Sequence, residues 1–138
     1  MNIEEINSEI LKVNNYLKKC LWMDFEFASV DGGDIVAAGR IDTSYDEFAI
    51  NIDFRKPYYL SSLLYWNLNN SKPFIELVAG KEMWKVIDKY QVEEGNYIFK
   101  INAEDFDTAP IIIASKGLKA EIIRQIARNN LNEFNDVN

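Results

Sequence analysis

The chain has 138 residues and a formal net charge of −7, from 22 acidic and 15 basic residues. This length is typical of one domain, and an apolar content of 48% excludes a largely disordered chain. The acidity disfavours binding to nucleic acid or to an anionic membrane, because both need a cationic surface to neutralise phosphate. We therefore expect a single domain over residues 1–138, whose charge serves either solubility or a basic partner.

The N-terminal sequence and the cysteine content indicate a cytoplasmic protein. MNIEEINSEI has glutamates where a signal peptide has Lys or Arg before an apolar run. The apolar runs, such as residues 110–114, are far shorter than the roughly 20 residues that span a bilayer. Cys20 has no second cysteine with which to form an internal disulfide, which favours a reducing compartment. We expect it to be a small buried hydrophobic residue and not a nucleophile.

The first predicted element is an amphipathic helix from Ile3 to Lys19. Asn2 is suited to cap its first turn, and Glu5 completes a capping box three residues later. The apolar residues recur at steps of three and four, at Ile3, Ile6, Ile10, Val13 and Leu17. This stripe is expected to pack on a sheet, and a helix-mediated homodimer is the alternative.

A three-stranded antiparallel meander is predicted over about residues 22–55. Alternation of apolar and polar residues marks strands at 23–27, 35–41 and 47–54, and glycines in the segment 31–34 mark a hairpin turn. A three-residue loop with a bulge would place Ile41 opposite Phe25 and Arg40 opposite Glu26. The face toward the core would then carry Met23, Phe25, Phe27, Ile41, Ile50, Ile52 and Phe54.

The opposite face of the meander is expected to collect the charge of the chain. Residues 24–53 contain eight carboxylates and one base, Arg40, whereas the rest of the chain has 14 acidic and 14 basic residues. The polar face is predicted to carry Asp24, Glu26, Asp42, Asn51 and Asp53, with Asp31, Asp34 and Asp46 on its loops. An antiparallel sheet can leave one such face in solvent.

After the meander the pattern predicts shorter elements. Strands are expected near 74–79, 97–101 and 111–114, and further helices near 81–90 and 119–134, although residues 118–122 also alternate as a strand would. Together these elements predict an α+β fold, with the N-terminal helix packed on a mostly antiparallel sheet.

Catalytic and metal-binding motifs are absent from the sequence. There is no histidine, which removes the common catalytic triads and the commonest zinc ligand. Phosphate-binding glycine motifs are also missing, and Ser115-Lys116 is interpreted as a turn. Segments 31–34 and 104–107 lack the spacing of a calcium loop. We expect no cofactor and no metal, and an enzyme acting through two carboxylates stays open as an alternative.

The predicted partner-binding residues combine the acids of the polar face and its loops with two tyrosines that follow the third strand. They are Asp24, Glu26, Asp42, Asp46, Glu47, Asp53, Tyr58 and Tyr59. The aromatic group Tyr58, Tyr59, Tyr65 and Trp66 is expected to be mainly core, and any exposed member beside the acids would act as an interface anchor.

The stretch Gly39-Arg40-Ile41-Asp42-Thr43-Ser44-Tyr45 leads into an alternating strand of a small, acidic chain without histidine. In its size, its acidity, its lack of histidine and this stretch, the chain resembles bacterial immunity proteins. Those proteins are encoded beside polymorphic or contact-dependent toxins and block them by binding. The likeness covers size, charge and residues 39–66, and it assigns no functional residue. It implies an inhibitor of a basic toxin domain. A small carboxylate enzyme or enzyme subunit, and a structural or oligomeric module, are the other classes that the sequence allows.

Overall fold

The computed structural model describes residues 1–30, 33–42, 44–105, 110–126 and 134–136, and its elements form the predicted α+β fold. These ranges contain two helices and nine strands: α1 Ile3–Leu17, β1 Asp24–Val30, β2 Asp34–Arg40, β3 Ile50–Ser61, β4 Tyr65–Asn67, β5 Ile75–Leu77, α2 Gly80–Tyr90, β6 Tyr97–Ile101, β7 Ile111–Ile122, β8 Arg124–Ile126 and β9 Phe134–Asp136. Seven strands form a curled antiparallel sheet in the order β4-β1-β2-β3-β7-β6-β5, and β8 pairs with β9.

Helix α1 begins as predicted. The Asn2 side chain accepts a hydrogen bond from the backbone N–H of Glu5 at 2.9 Å, and the Glu5 carboxylate accepts one from the Asn2 N–H at 3.4 Å. Such a capping residue stabilises a helix by about 1 kcal/mol relative to alanine. Ile6, Val13 and Leu17 of the predicted stripe are buried, whereas Ile3 is 45% exposed. The helix therefore packs on the sheet through its middle and C-terminal turns.

Strands β1, β2 and β3 form the predicted meander, but the predicted register between β1 and β2 is wrong by two residues. Arg40 lies opposite Asp24, and Gly39 lies opposite Phe25. Three residues, 31–33, connect β1 to β2, as predicted, and the terminal pair of the two strands is Val30–Ile35. A bulge between Phe27 and Ser29 adds one residue to β1 and restores the expected assignment of side chains to the two faces.

The core face of the meander is as predicted. Phe25, Ile52 and Phe54 are no more than 1% exposed, and Phe25 stacks on Trp66 with 5.6 Å between ring centroids. These side chains join those of α1, β6 and β7 in one hydrophobic cluster. Its burial supplies the main stabilisation of the fold, since each large apolar side chain contributes about 1.5–3 kcal/mol.

Helix α2 confirms the prediction at 81–90 and covers a second, smaller cluster of Val78, Val92, Ile98 and Ala114. Met83, Val86, Ile87 and Tyr90 pack on this cluster, yet none of the residues of α2 is fully buried. Trp84, on the solvent side, is 59% exposed.

The predicted helix at 119–134 is wrong. Residues 119–122 complete the long strand β7, and β8 follows at Arg124. Strand β7 pairs with β3 from Ile112 to Ile122, with Lys119 opposite Asp53 and Glu121 opposite Asn51. Phe134 lies in β9, and residues 127–133 are outside the described part of the chain.

Two side chains of α1 form hydrogen bonds with backbone groups of the sheet, at positions where a strand has no neighbouring strand on one side among the described residues. The Asn14 amide donates to the Ile75 carbonyl at 2.9 Å and accepts from the Ile75 N–H at 3.0 Å. The Glu9 carboxylate accepts from the Ala120 N–H at 3.0 Å, on the part of β7 that extends beyond β6. An isolated bridge between Leu68 and Ala103 also brings the chain after β4 next to the chain after β6.

Candidate functional site

The solvent face of the meander carries three of the predicted site residues. Asp24 and Glu26 alternate with buried Phe25 on β1, and Asp53 alternates with buried Ile52 and Phe54 on β3. All three acids are half-buried. Strand β2 lies between them, with Arg40 opposite Asp24 and Val36 opposite Asp53.

Arg40 pairs with Glu26 and not with the residue directly opposite it. Its Nη1 lies 2.5 Å from Glu26 Oε1, and its guanidinium lies 4.3 Å from the centre of the Phe48 ring. Both partners of this ion pair are about three-quarters buried at the side chain, with exposures of 27% and 25%. The predicted charge pair therefore forms, diagonally across the strands, and it neutralises one acid of the face.

Basic side chains from outside the acidic segment share the same face. Lys119 on β7 lies opposite Asp53, and Arg55 lies opposite Gly117. With Lys12 of α1 and with Asp53 and Glu121, these side chains line a concave surface of about 580 Å³. The acidic side chains that are concentrated in one segment of the sequence are thus interspersed with basic side chains in the folded protein.

The connection between β2 and β3 carries three more predicted residues. Asp42 accepts a hydrogen bond from the Ser44 N–H at 2.7 Å, so its carboxylate shapes the turn. Asp46 and Glu47 are exposed, and Tyr45 beside them is 46% exposed. Glu47 accepts a hydrogen bond from Arg124 Nε at 2.9 Å.

Tyr58 and Tyr59 lie toward the other end of the long strand β3. Tyr58 is 45% exposed and donates a hydrogen bond to the Gln91 carbonyl at 3.0 Å. Tyr59 stacks on Tyr90 with 4.3 Å between ring centroids, and burial followed by the hydrogen bond with Tyr90 raises its pKa. Among the other two aromatics, Trp66 is buried as expected, and Tyr65 is 71% exposed, contrary to expectation.

The eight predicted residues therefore fall into three groups. The sheet face holds Asp24, Glu26 and Asp53, the β2–β3 connection holds Asp42, Asp46 and Glu47, and the far part of β3 holds Tyr58 and Tyr59. That these residues bind a partner stays a prediction.

Sequence reasoning missed the cations of this face and the exposed Tyr45. Lys119 and Glu121 alternate with Leu118 and Ala120, a signal that could have placed them on a strand. Tyr45 lies between Asp42 and Asp46–Glu47 in an otherwise polar loop, and that position favours exposure.

Other chemistry is limited in the described part of the chain. Cys20 is 2% exposed, and burial raises its pKa to about 12, so the thiol is protonated and inert at neutral pH. Within the same ranges, Asp, Glu and Cys side chains form no group of three that could hold a metal ion. Neither of the described helices is long and apolar enough to cross a membrane.

Comparisons with known proteins identify no relative. No family model matches this sequence, and no curated protein or solved structure is significantly similar to it.

Proposed function

We propose that this protein is a cytoplasmic binding protein of the immunity type, which inhibits a basic partner, such as a toxin domain, by binding it. The observation that carries the proposal is the β2–β3 connection, where Tyr45, Asp46 and Glu47 are exposed side by side. An exposed tyrosine among carboxylates is a common arrangement at interfaces, because the ring supplies contact area and the charges select the partner.

The acids are expected to differ in their contributions. Glu26 is paired with Arg40 and is three-quarters buried at its side chain, and Asp42 is half-buried in its turn, whereas Glu47 stays 63% exposed although it is paired with Arg124. Asp46 and Glu47 are exposed at the end of the connection. We assign long-range attraction mainly to these two residues, because exposed charges act on the association rate more than on the strength of the final complex.

The test requires the product of the neighbouring reading frame, which immunity proteins of this type are expected to bind. We expect Asp46→Lys combined with Glu47→Lys to slow association about tenfold at low salt, with a smaller change in dissociation. Association rates measured by biolayer interferometry between 20 mM and 500 mM salt would show this, because salt screens the attraction of exposed charges.

The matched control is Glu93→Lys combined with Glu94→Lys, which makes the same change of charge at exposed positions after α2. This control should associate close to the wild-type rate, and circular dichroism confirms that both variants are folded. If the two double variants slow association equally, only the net charge matters and the β2–β3 connection is not the binding surface. If the wild-type protein does not bind the neighbouring product, the immunity proposal fails.

A further inference from the structure

Helix α2 lies in the connection between two strands that are direct neighbours in the sheet. Strands β5 and β6, which precede and follow it, pair antiparallel. A hydrogen bond from the Val78 N–H to the Ile98 carbonyl at 2.8 Å extends this pairing to the point where the chain leaves toward the helix. Residues 79–96 therefore form a loop whose two ends are held together, and a movement of α2 would leave the strand pairs of β5 and β6 intact.

The packing of α2 on the sheet is shallow. Its apolar side chains lie on the small cluster that includes Ile98 and Ala114, but none of the residues of α2, all of which the structure describes, is buried. Helix α1, in contrast, buries several side chains, among them Ile6 and Leu17. Because the stabilisation from burial grows with the apolar area removed from water, burial holds α2 in place less strongly than α1.

Both ends of α2 are unfavourable for a helix. The capping position before its first turn is occupied by Ala79, whose side chain cannot accept a hydrogen bond. At the other end Gln91 has the left-handed conformation, with φ 53° and ψ 48°. This conformation is strained for a residue with a side chain, and glycine is usual at this position of a helix end. Part of that strain would be released when the helix opens.

Contacts with neighbouring strands hold α2 mainly at its C-terminal end. Tyr59 of β3 stacks on Tyr90 with 4.3 Å between ring centroids, and Tyr58 donates a hydrogen bond to the backbone carbonyl that follows the helix at 3.0 Å. Near the N-terminal end, Lys100 Nζ lies 3.9 Å from Glu82 Oε1, and the Glu82 side chain is 64% exposed. An ion pair this exposed contributes little to stability.

We propose that α2 is a lid that opens as one unit while the seven-stranded sheet stays paired. Its opening exposes an apolar surface of Val78, Ile98 and Ala114, which are no more than 5% exposed in the closed form. Segments with few buried contacts are the ones that open locally, at a lower free energy than the whole fold. The inference does not rest on the proposed inhibitor function, because it concerns the chain without a partner.

Hydrogen exchange of the full ¹⁵N-labelled chain, followed by NMR, tests the lid. We expect the amides of residues 84–90 to be protected to nearly the same degree, and at least about tenfold less than those of residues 13–17 in α1. Low concentrations of urea should hardly change their exchange, since opening of α2 exposes less surface than global unfolding. The proposal is overturned if α2 is protected as strongly as α1, or if protection differs widely from residue to residue along α2.

Three variants separate opening of the lid from global stability. Tyr90→Ala removes the stacking on Tyr59 and should speed exchange of the α2 amides about tenfold, whereas the α1 amides should keep their rates. Gln91→Gly relieves the left-handed strain and should slow exchange in α2 about threefold. Glu93→Gly is the matched control, because Glu93 is exposed and is not among the residues with positive φ. An equal effect of the two glycine variants, or equal changes in α1 and α2, would contradict the lid.

Discussion

Gly39 leaves room for two core side chains that pack against its strand. A Cβ atom at this position would lie 2.7 Å from Met23 Sδ and 2.7 Å from Phe25 Cε1, and both of those side chains are buried. Gly117 has a contact of the same length with Met1 Sδ, but Met1 is 46% exposed. The two glycines therefore differ in how far their neighbours can move.

We expect Gly39→Ala to lower the free energy of unfolding by about 1–3 kcal/mol, the usual range for overpacking a core. Gly117→Ala should cost much less, because the flexible Met1 side chain can rotate away into solvent. Urea unfolding followed by circular dichroism compares the two variants. Equal losses would mean that the Phe25 ring does not hold its position against Gly39.

Two buried groups that lose a proton at alkaline pH, the Cys20 thiol and the Tyr16 phenol, predict that the stability of the fold decreases there. Burial raises the pKa of Cys20 from 9.0 to about 12, and burial, followed by the nearby Cys20, also raises the pKa of Tyr16. Above about pH 9 the unfolded chain loses protons that the folded chain keeps. Stability is therefore fully present below this pH and declines as pH rises toward 12.

The predicted decline is at most about 1.4 kcal/mol per pH unit for each group. Cys20→Ala removes one of the two groups, so its free energy of unfolding should fall less steeply between pH 9 and pH 11 than that of the wild type. Urea midpoints measured at half-unit steps of pH give both slopes. Identical slopes would show that Cys20 does not contribute to the decline.

At the scale of elements, Asn14 is one of the side chains that join α1 to the sheet. Asn14 both donates to and accepts from the backbone of Ile75 in β5. We expect Asn14→Ala to lower the free energy of unfolding by about 1–3 kcal/mol, because it leaves a partly buried N–H and carbonyl without partners. Asn15→Ala is the control, since Asn15 is exposed on the same helix. Thermal unfolding would contradict the prediction if both variants melted at the same temperature.

Elements whose pattern is local were predictable from the sequence, and those that depend on distant pairing were not. The 3.6-residue period and the Asn2–Glu5 cap predict α1 correctly. At 118–122 the strand and helix patterns overlap, and pairing of β7 with β3, more than 60 residues earlier, decides for a strand. The position of the bulge after Phe27 leaves no clear mark on the alternation, so the faces were predicted correctly from a wrong register.

At the scale of the whole molecule, β3 is the centre of the sheet and should be the slowest part to exchange its amide hydrogens. It pairs with β2 on one side and with β7 on the other, and Ile50, Ile52 and Phe54 are fully buried. Strand β4, in contrast, has three residues and lies at the end of the strand order, next to β1. We expect the amides of Ile52 and Phe54 to exchange at least about a hundredfold more slowly than that of Tyr65. Comparable rates measured by NMR would contradict this order.

The candidate site was predictable only in part, because a one-dimensional count of charge does not show which strands become neighbours. The sequence places the acids Asp24, Glu26 and Asp53 on one face, and the pairing agrees. Lys119 lies opposite Asp53, and the pattern of the segment that contains Lys119 also indicated a helix. The predicted face is therefore not a uniform acidic surface, and the exposed acids of the β2–β3 connection become its most accessible negative charges.

The hydrogen bonds that Asn14 and Glu9 make with strand backbones have a consequence for the behaviour of many copies together. Unpaired strand edges are templates on which other chains can add strands and aggregate. Here the Asn14 side chain accepts a hydrogen bond from the Ile75 N–H, and the Glu9 carboxylate accepts one from the Ala120 N–H. Helix α1 thus covers backbone groups at two strand edges of the sheet. Loss of either side chain would expose these groups, and a second molecule could then pair with them.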